Sequence, residues 1–467
     1  MTKTGKRRVC LVSLGCPKNL VDAEMMLGFL KKDGFELTTD PAVSEVIVVN
    51  TCGFVEDSKR ESIGQILEMA RYKEEGNCRV LVASGCLTQR YSQELHKDMP
   101  EVDLFVGTGE FDKLAGYLKE KFGGGEATSP VHVSARQILP DPDLPRIQAT
   151  PKHYTYTKIS EGCSHICSFC IIPAIRGRLK SRPMTSIVRE IREGVDRGVR
   201  EFNLIAQDLN EYGRDLKDGT NLAALLEALN SVEGDFWLRP LYMYPLEFND
   251  RLIEVLRDSE HIVKYVDMPL QHIGEKVLLS MKRGSPSRYV RQVLAKLKSK
   301  IPGIAIRTTF IVGYPGETED EFQELCDFVG EYEFDRVGVF KFSIEEGTAA
   351  AVLQNQLDHE IKDARFERLM AIQQKISRKK NKGLVGKTVR VLCESPVPDG
   401  EGLYKARLST QAPEIDGMTF LAGKDLTPGT FVDAKILKAT DYDLIAEARE
   451  ETFSRIHRRT NSVGRHG

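Results

Sequence analysis

The segment TYTKISEGCSHICSFC, Thr155–Cys170, decides how this chain is to be read. Its β-branched start predicts a strand over Thr155–Ser160, and three thiols, Cys163, Cys167 and Cys170, follow within eight residues of one another. Five more strand candidates lie downstream: Glu201–Ala206, Trp237–Met243, Val263–Met268, Ile304–Val312 and Val337–Ser343. Helical patterns separate them at Ser186–Arg197, Leu222–Ser231, Asn249–Asp258 and Ser287–Lys300. Strand and helix in alternation predict a partial (βα)6 barrel, two units short of a closed eight. Its first loop, at the carboxyl end where such barrels carry chemistry, holds the three thiols.

Upstream, residues 1–150 show short apolar runs alternating with amphipathic stretches, the pattern of a parallel α/β domain. Three runs end alike. Val9–Leu14 leads into Cys16, Val46–Val49 into Cys52 and Val80–Ala83 into Cys86. In open α/β sheets ligands gather outside the carboxyl ends of the strands, so three cysteines one βα unit apart can converge on one point. Gly15 and Gly85 supply the sharp turns, and the following helices can aim amides at an anionic group. Three unrelated half-buried cysteines are the alternative, and their repetition at one place in the unit weighs against it.

Residues 123–152 carry three consecutive glycines and five prolines and predict a linker or a wrapping loop between domains. The second domain spans 151–382 and ends in a charged helix from about Gln356 to Lys382. Beyond it, over 383–450, Thr388–Cys393, Tyr404–Leu408, Thr419–Leu421 and Phe431–Ala439 predict a small all-β barrel. The final residues, 451–467, have no apolar pattern and read as a disordered tail.

Composition narrows the setting. Lys and Arg total 66 against 68 Asp and Glu, so the chain as a whole favours neither nucleic acid nor membrane. No apolar run approaches the roughly 20 residues that span a bilayer, and no export signal leads the chain, so a cytoplasmic protein is expected. There, ten cysteines serve metals or catalysis rather than disulfides. Cys10, Cys78, Cys326 and Cys393 sit in apolar surroundings without partners at ligand spacing and read as packed thiols.

Three cysteines as close as Cys163, Cys167 and Cys170 can each bind one iron of a four-iron cluster and leave the fourth iron open. An open iron can chelate the amino and carboxylate groups of S-adenosylmethionine and pass an electron that breaks the sulfonium. A structural zinc site, closed by His165 or a distant cysteine, is the alternative from a different functional class. Against it, no second Cys-x-x-Cys pair follows within a hundred residues, and His165 lies between two of the thiols.

This spacing on the first loop of a six-strand region resembles the radical S-adenosylmethionine superfamily. Leu14–Asp22 (LGCPKNLVD), Glu161–Arg178, Pro269–His272, Arg307–Thr318 and Phe340–Thr348 together resemble the bacterial methylthiotransferases. Among these, the chain is most similar to the enzymes that modify an aspartate of ribosomal protein S-twelve of the small subunit. The RNA-directed members usually show Gln-Met-Asn after the first cluster cysteine, where this chain has Pro17-Lys18-Asn19, and Val-Gln-Ser-Gly where it has Leu270-Gln271-His272-Ile273.

The resemblance covers about residues 8–450 and implies a TRAM domain at the C-terminus. It also implies two [4Fe-4S] clusters, one on Cys163, Cys167 and Cys170 and one on Cys16, Cys52 and Cys86, with S-adenosylmethionine as cofactor and an electron donor as partner. The chemistry implied is hydrogen abstraction from the β-carbon of the aspartate by a radical from one S-adenosylmethionine. A sulfur methylated by a second then couples at that carbon, and both clusters must face one cavity.

Gln207 and Asp208 are expected near the cofactor's methionine part, and Gly313 and Gly316 near its nucleoside. His165, Arg176 and Arg178 are expected at the substrate entrance. Residues 383–450 hold eight basic and eleven acidic residues, which disfavours tRNA as a direct substrate and suits a basic protein. Methylthiolation of an adenosine of tRNA is the alternative within the same chemistry.

Overall fold

The computed structural model describes residues 6–123 and 129–449; the tail expected to be disordered lies outside the described residues. The N-terminal unit is a six-stranded parallel sheet in the order Glu36–Thr38, Arg8–Ser13, Val46–Thr51, Val80–Gly85, Leu104–Val106, Val131–His132. Alternation along the strands fills two cores. Val9, Val46, Val48, Val80 and Val82 face one layer, and Cys10, Ile47, Val49, Leu81 and Ala83 face the other. The short edge strands were not anticipated, because two or three residues carry no readable period.

In the central unit Trp237–Pro240, Glu201–Ile205 and Tyr154–Lys158 form one parallel sheet, and Tyr265–Gln271, Ala305–Val312 and Arg336–Lys341 another. A parallel bridge between Leu238 and Ile262 joins them into the expected six-strand partial barrel. Outward residues such as Phe202, Leu204, Leu238 and Val266 pack under the surrounding helices. Inward residues are of two kinds. Tyr154, Tyr156, Trp237 and Tyr265 form an apolar floor, whereas Lys158, Asn203, Arg239 and Asp267 are charged or polar and fully buried.

Strands Thr388–Pro396, Leu403–Leu408, Thr419–Ala422, Phe431–Ala439 and Leu444–Ala448 close a small barrel. The last of these is only five residues long and was missed in the sequence. This barrel stoppers the amino end of the central one: Leu392, Ala412 and Phe431 join the apolar floor, and Phe431 lies 4.7 Å from Trp237 between ring centres.

The docking consumes acid. Glu394 takes Arg407 at 2.7 Å, Glu414 takes the Tyr154 hydroxyl at 3.0 Å, Asp416 takes the Tyr265 hydroxyl at 2.8 Å, and Asp441 takes Arg378. Arg407 and Arg390 are in turn spent on Glu201 and Asp235 of the central unit. Four of the eleven acidic residues of 383–450 and two of its eight basic ones are engaged in these contacts, Glu414 while still exposed, so the negative excess read from the sequence is only partly drawn into the docking.

The stretch read as a linker or a wrapping loop takes the second form and runs as a strap. Val131–His132 completes the sheet, and buried Arg146 ties Glu24 of the first unit, at 2.6 Å, to Glu190 of the second, at 3.1 Å.

Glu201 is the centre of the docking, fully buried between Arg239 and Arg407. Changing Glu201→Gln strands the fully buried Arg239 and leaves Arg407 with Glu394 alone, and is expected to cost about 3–5 kcal/mol. The measurement is the thermal unfolding midpoint against that of the unmodified protein.

Candidate functional site

The residues that build the site start from three strand ends. Cys16 caps the helix Pro17–Lys32, whose first-turn proline sacrifices no hydrogen bond. Cys86 opens the helix Cys86–Asp98 directly after Gly85, so a helix amino end lies beside each of these two thiols. Gly15 has φ +86° and abuts Cys52: a β-carbon there would sit 2.8 Å from Cys52 Cβ and 3.1 Å from its Sγ. Gly53 lies equally close to the Cys86–Leu87 backbone. Cys16, Cys52 and Cys86 therefore converge, as their spacing predicts. The Asn19 amide donates to the Leu14 and Thr51 carbonyls at 2.7 and 3.2 Å and fixes the helix onto the strand ends.

The second triad sits on the loop after Tyr154–Lys158. The Cys163 amide donates to the Gly177 carbonyl at 3.1 Å. Ser168 anchors the loop, its amide donating to the Met281 carbonyl and its own carbonyl accepting from the Ala350 amide. Arg283 reaches Cys167 Sγ at 3.6 Å while lying 3.8 Å over the Tyr244 ring. His165 pairs with Asp208 at 2.7 Å and stacks on Tyr244.

Between the triads runs a buried ionic network that sequence reasoning missed. Lys158 donates to Asp22 and to Glu161, both at 2.6 Å. Arg176 pairs with Asp22, donates to Asn19 Oδ1 at 3.2 Å, and reaches Cys86 Sγ at 3.0 Å. Arg176 was expected at an open entrance; instead it is buried and couples the central barrel to a thiol of the first unit, while Arg178 is exposed. The network's one sequence signal is Lys158, a charge on the inward face of a β-branched run. Burial pushes the Cys86 thiol up to about 12, with Arg176 opposing, and pushes Cys163 to about 12 and Cys170 to about 11. Metal binding reverses that balance by taking the thiolate.

Zinc and a four-iron cluster ask different spacings of three thiolates. Among the described residues, the three ligating atoms that lie within 4.8 Å of one another belong to His165, Asp208 and Glu211, and neither cysteine triad is drawn so tight. A zinc ion with bonds of about 2.3 Å would bring its thiolates to roughly 3.8 Å. A four-iron cluster takes each thiolate on a different iron and needs the wider setting.

Gln207 donates to Glu161 at 2.7 Å and leaves its own carbonyl oxygen buried without a partner. Asp208 is spent on His165 and on the Asn210 amide. The Gly313 amide is taken by Glu317, and a β-carbon at Gly313 would strike Lys362 at 2.3 Å, so that glycine serves packing and has no free donor for a nucleoside. The Gly316 amide is likewise held, by the Asn355 carbonyl at 2.9 Å. No described helix is long and apolar enough to cross a membrane.

Three family models match the chain: an uncharacterized protein family, UPF0004, over residues 8–107, the radical SAM superfamily over 157–329, and the TRAM domain over 385–448. Full-length relatives are similar throughout. The ribosomal protein uS12 methylthiotransferase RimO of Geotalea uraniireducens is 46% identical over 96% of this chain and 99% of its own length. Its counterpart in Pelobacter propionicus is 45% identical over 97% and 100%. The fold is similar to that of the radical S-adenosylmethionine methyltransferase TsrM from Kitasatospora setae, with TM-score 0.54 and 16% identity over 74% of this chain and 77% of that one.

Gly85 is the most constrained point of the first triad. At φ +97° and ψ −154° its backbone suits glycine alone, and a β-carbon would meet Asn50 Oδ1 at 2.5 Å and the Thr51 carbonyl at 2.6 Å. Gly85→Ala is expected to cost at least about 1–3 kcal/mol, read as a lowered thermal midpoint.

Proposed function

This chain belongs to the ribosomal protein uS12 methylthiotransferase family, and on that premise we propose that it adds a methylthio group to the β-carbon of an aspartate in ribosomal protein S12, using two [4Fe-4S] clusters. It is a radical S-adenosylmethionine enzyme and a sulfur-group transferase. The observation that carries the two-cluster reading is the pair of convergent cysteine triads joined by one buried network. When bound, the clusters and S-adenosylmethionine supply the carbon radical that opens an unactivated C–H bond and the methylated sulfur that replaces the hydrogen.

The chain's own residues do the rest. Cys163, Cys167 and Cys170 hold one cluster and Cys16, Cys52 and Cys86 the other, each leaving one iron without a protein ligand. Asp22, Lys158, Glu161 and Arg176 hold the two triads in fixed relation, which matters because reacting groups misplaced by an ångström lose rate steeply. Arg176 also places a permanent cation against Cys86 Sγ, offsetting the negative charge that a thiolate-bound cluster brings into a buried site. Gln207 positions Glu161 and presents a free carbonyl oxygen on the barrel side, suited to the ammonium of the cofactor's methionine part.

A protein substrate is favoured by the relatives' identity and by Pro17-Lys18 and His272 in the diagnostic motifs. The charge of the C-terminal barrel carries less of the argument, because four of its eleven acids are engaged in contacts with neighbouring groups. An external electron donor completes the system, and direct action on tRNA is not expected.

Two measurements test this reading. Anaerobic reconstitution should give about eight irons per chain, falling to about four when Cys163, Cys167 and Cys170 are all changed to Ala. A wild-type count near four, or zinc in place of iron, overturns the two-cluster assignment. Mass spectrometry of S12 digests and nucleoside chromatography of tRNA, each after incubation with enzyme, reductant and S-adenosylmethionine, should show the methylthio group on the protein alone.

A further inference from the structure

One buried cation in the site has no partner of its own. Lys18 lies in the first turn of the helix Pro17–Lys32, two residues past Cys16, and is 8% exposed. Its ammonium rests 2.9 Å from the centre of the Tyr242 ring, just past the end of the barrel strand Trp237–Pro240. Among the described residues it makes no hydrogen bond and no ion pair within 4.0 Å. The side chain thus crosses from the first unit to the mouth of the central barrel and ends on an aromatic face.

The surrounding charges are already matched. Asp267 is taken by Arg307 at 2.8 Å and by the Tyr242 amide at 3.1 Å. Glu161 is taken by Lys158 and Gln207, and Asp22 by Lys158 and Arg176. The carboxylates nearest Lys18, Asp267 and Glu161, are each already held by another cation, and the remaining neighbour able to carry negative charge is the Cys16 thiol two residues before it. An ammonium withdrawn from water with a ring face as its one direct contact, and with its neighbouring carboxylates held by other cations, is costly unless a further counter-charge arrives. Tyr242 itself is held at φ +61°, a conformation a bulky residue adopts only where its surroundings impose it.

We propose that Lys18 receives the carboxylate of the residue being modified, so that the substrate's own side chain completes the charge balance of the site. The proposal rests on the reading of an aspartate substrate and deepens it. A carboxylate held at Lys18 fixes the adjacent β-carbon near Cys16 and the mouth of the barrel, between the two triads. It also accounts for discrimination, since an adenine has no carboxylate to offer, and the RNA-directed relatives usually have Met where this chain has Lys18.

The test is a double-mutant cycle between enzyme and peptide. Labelled peptides spanning the residue modified in S12, with either Asp or Asn at that position, are bound to reconstituted wild type, Lys18→Met and Lys18→Arg and followed by fluorescence anisotropy. Iron content and cluster electron paramagnetic resonance spectra are recorded for each variant. Wild type should prefer the Asp peptide by about tenfold to a hundredfold. Lys18→Met should bind both alike with unchanged iron and spectra, and Lys18→Arg should retain part of the preference. If Lys18→Met keeps the Asp preference, or if it alters the cluster spectra and leaves the preference intact, the proposal is overturned while the aspartate reading stands. If wild type modifies no residue of S12, the aspartate reading falls, and this proposal with it.

Discussion

The arrangement depends on one buried contact set, in which Asp22 from the first unit accepts from both Lys158 and Arg176 of the second. Two separately folded sheets each present reactive thiols at their carboxyl ends, but nothing in either sheet alone fixes the distance between them. A dry ion pair is poor at stabilising a fold, because desolvation cancels much of the attraction; it is good at excluding alternative registers, because any slip leaves a charge unpaired. Asn19 and Asn50 extend the lock to the backbone, bonding helix to strand ends within the first unit. The strap through Arg146 repeats the device on the far side, between Glu24 and Glu190.

Much of this was legible in the sequence, and what was not has a physical reason. The strand-end cysteines announced themselves because each follows an apolar run at one βα interval, and Gly15 and Gly85 adopt the turns that their position requires. The six barrel strands and the helix Ser287–Lys300 carry clear periods and fall where the pattern places them. Hidden from a linear reading were the pairings between distant residues. Nothing near Arg176 in sequence names Asp22 or Cys86 as its partners, and nothing near Glu394 or Asp416 names Arg407 or Tyr265 as theirs. A charge count over 383–450 treats paired and free carboxylates alike, and so it does not tell which acids dock the barrel and which face outward.

Gly313 gives the opposite lesson. A glycine-rich turn after a barrel strand reads as a place for backbone to approach a cofactor, yet this one is required by the close passage of Lys362 from the helix His359–Lys382 and by the turn that Glu317 closes. Composition shows that a site needs a glycine and leaves open which neighbour demands it.

The stopper at the amino end of the central barrel bears on the lifetime of any radical formed at the other end. A carbon radical is quenched by whatever hydrogen donor or oxygen molecule reaches it, so a reaction chamber with two openings needs two seals. At the chemical end the arriving substrate can serve as one. At the far end the seal is permanent: Leu392, Ala412 and Phe431 lie against the floor of Tyr154, Tyr156, Trp237 and Tyr265, and beside them Arg239, Glu201 and Arg407 exchange charge without water. The C-terminal barrel is thus the back wall of the chamber, and its tight docking protects the fragile species made inside, whichever substrate stands at the front.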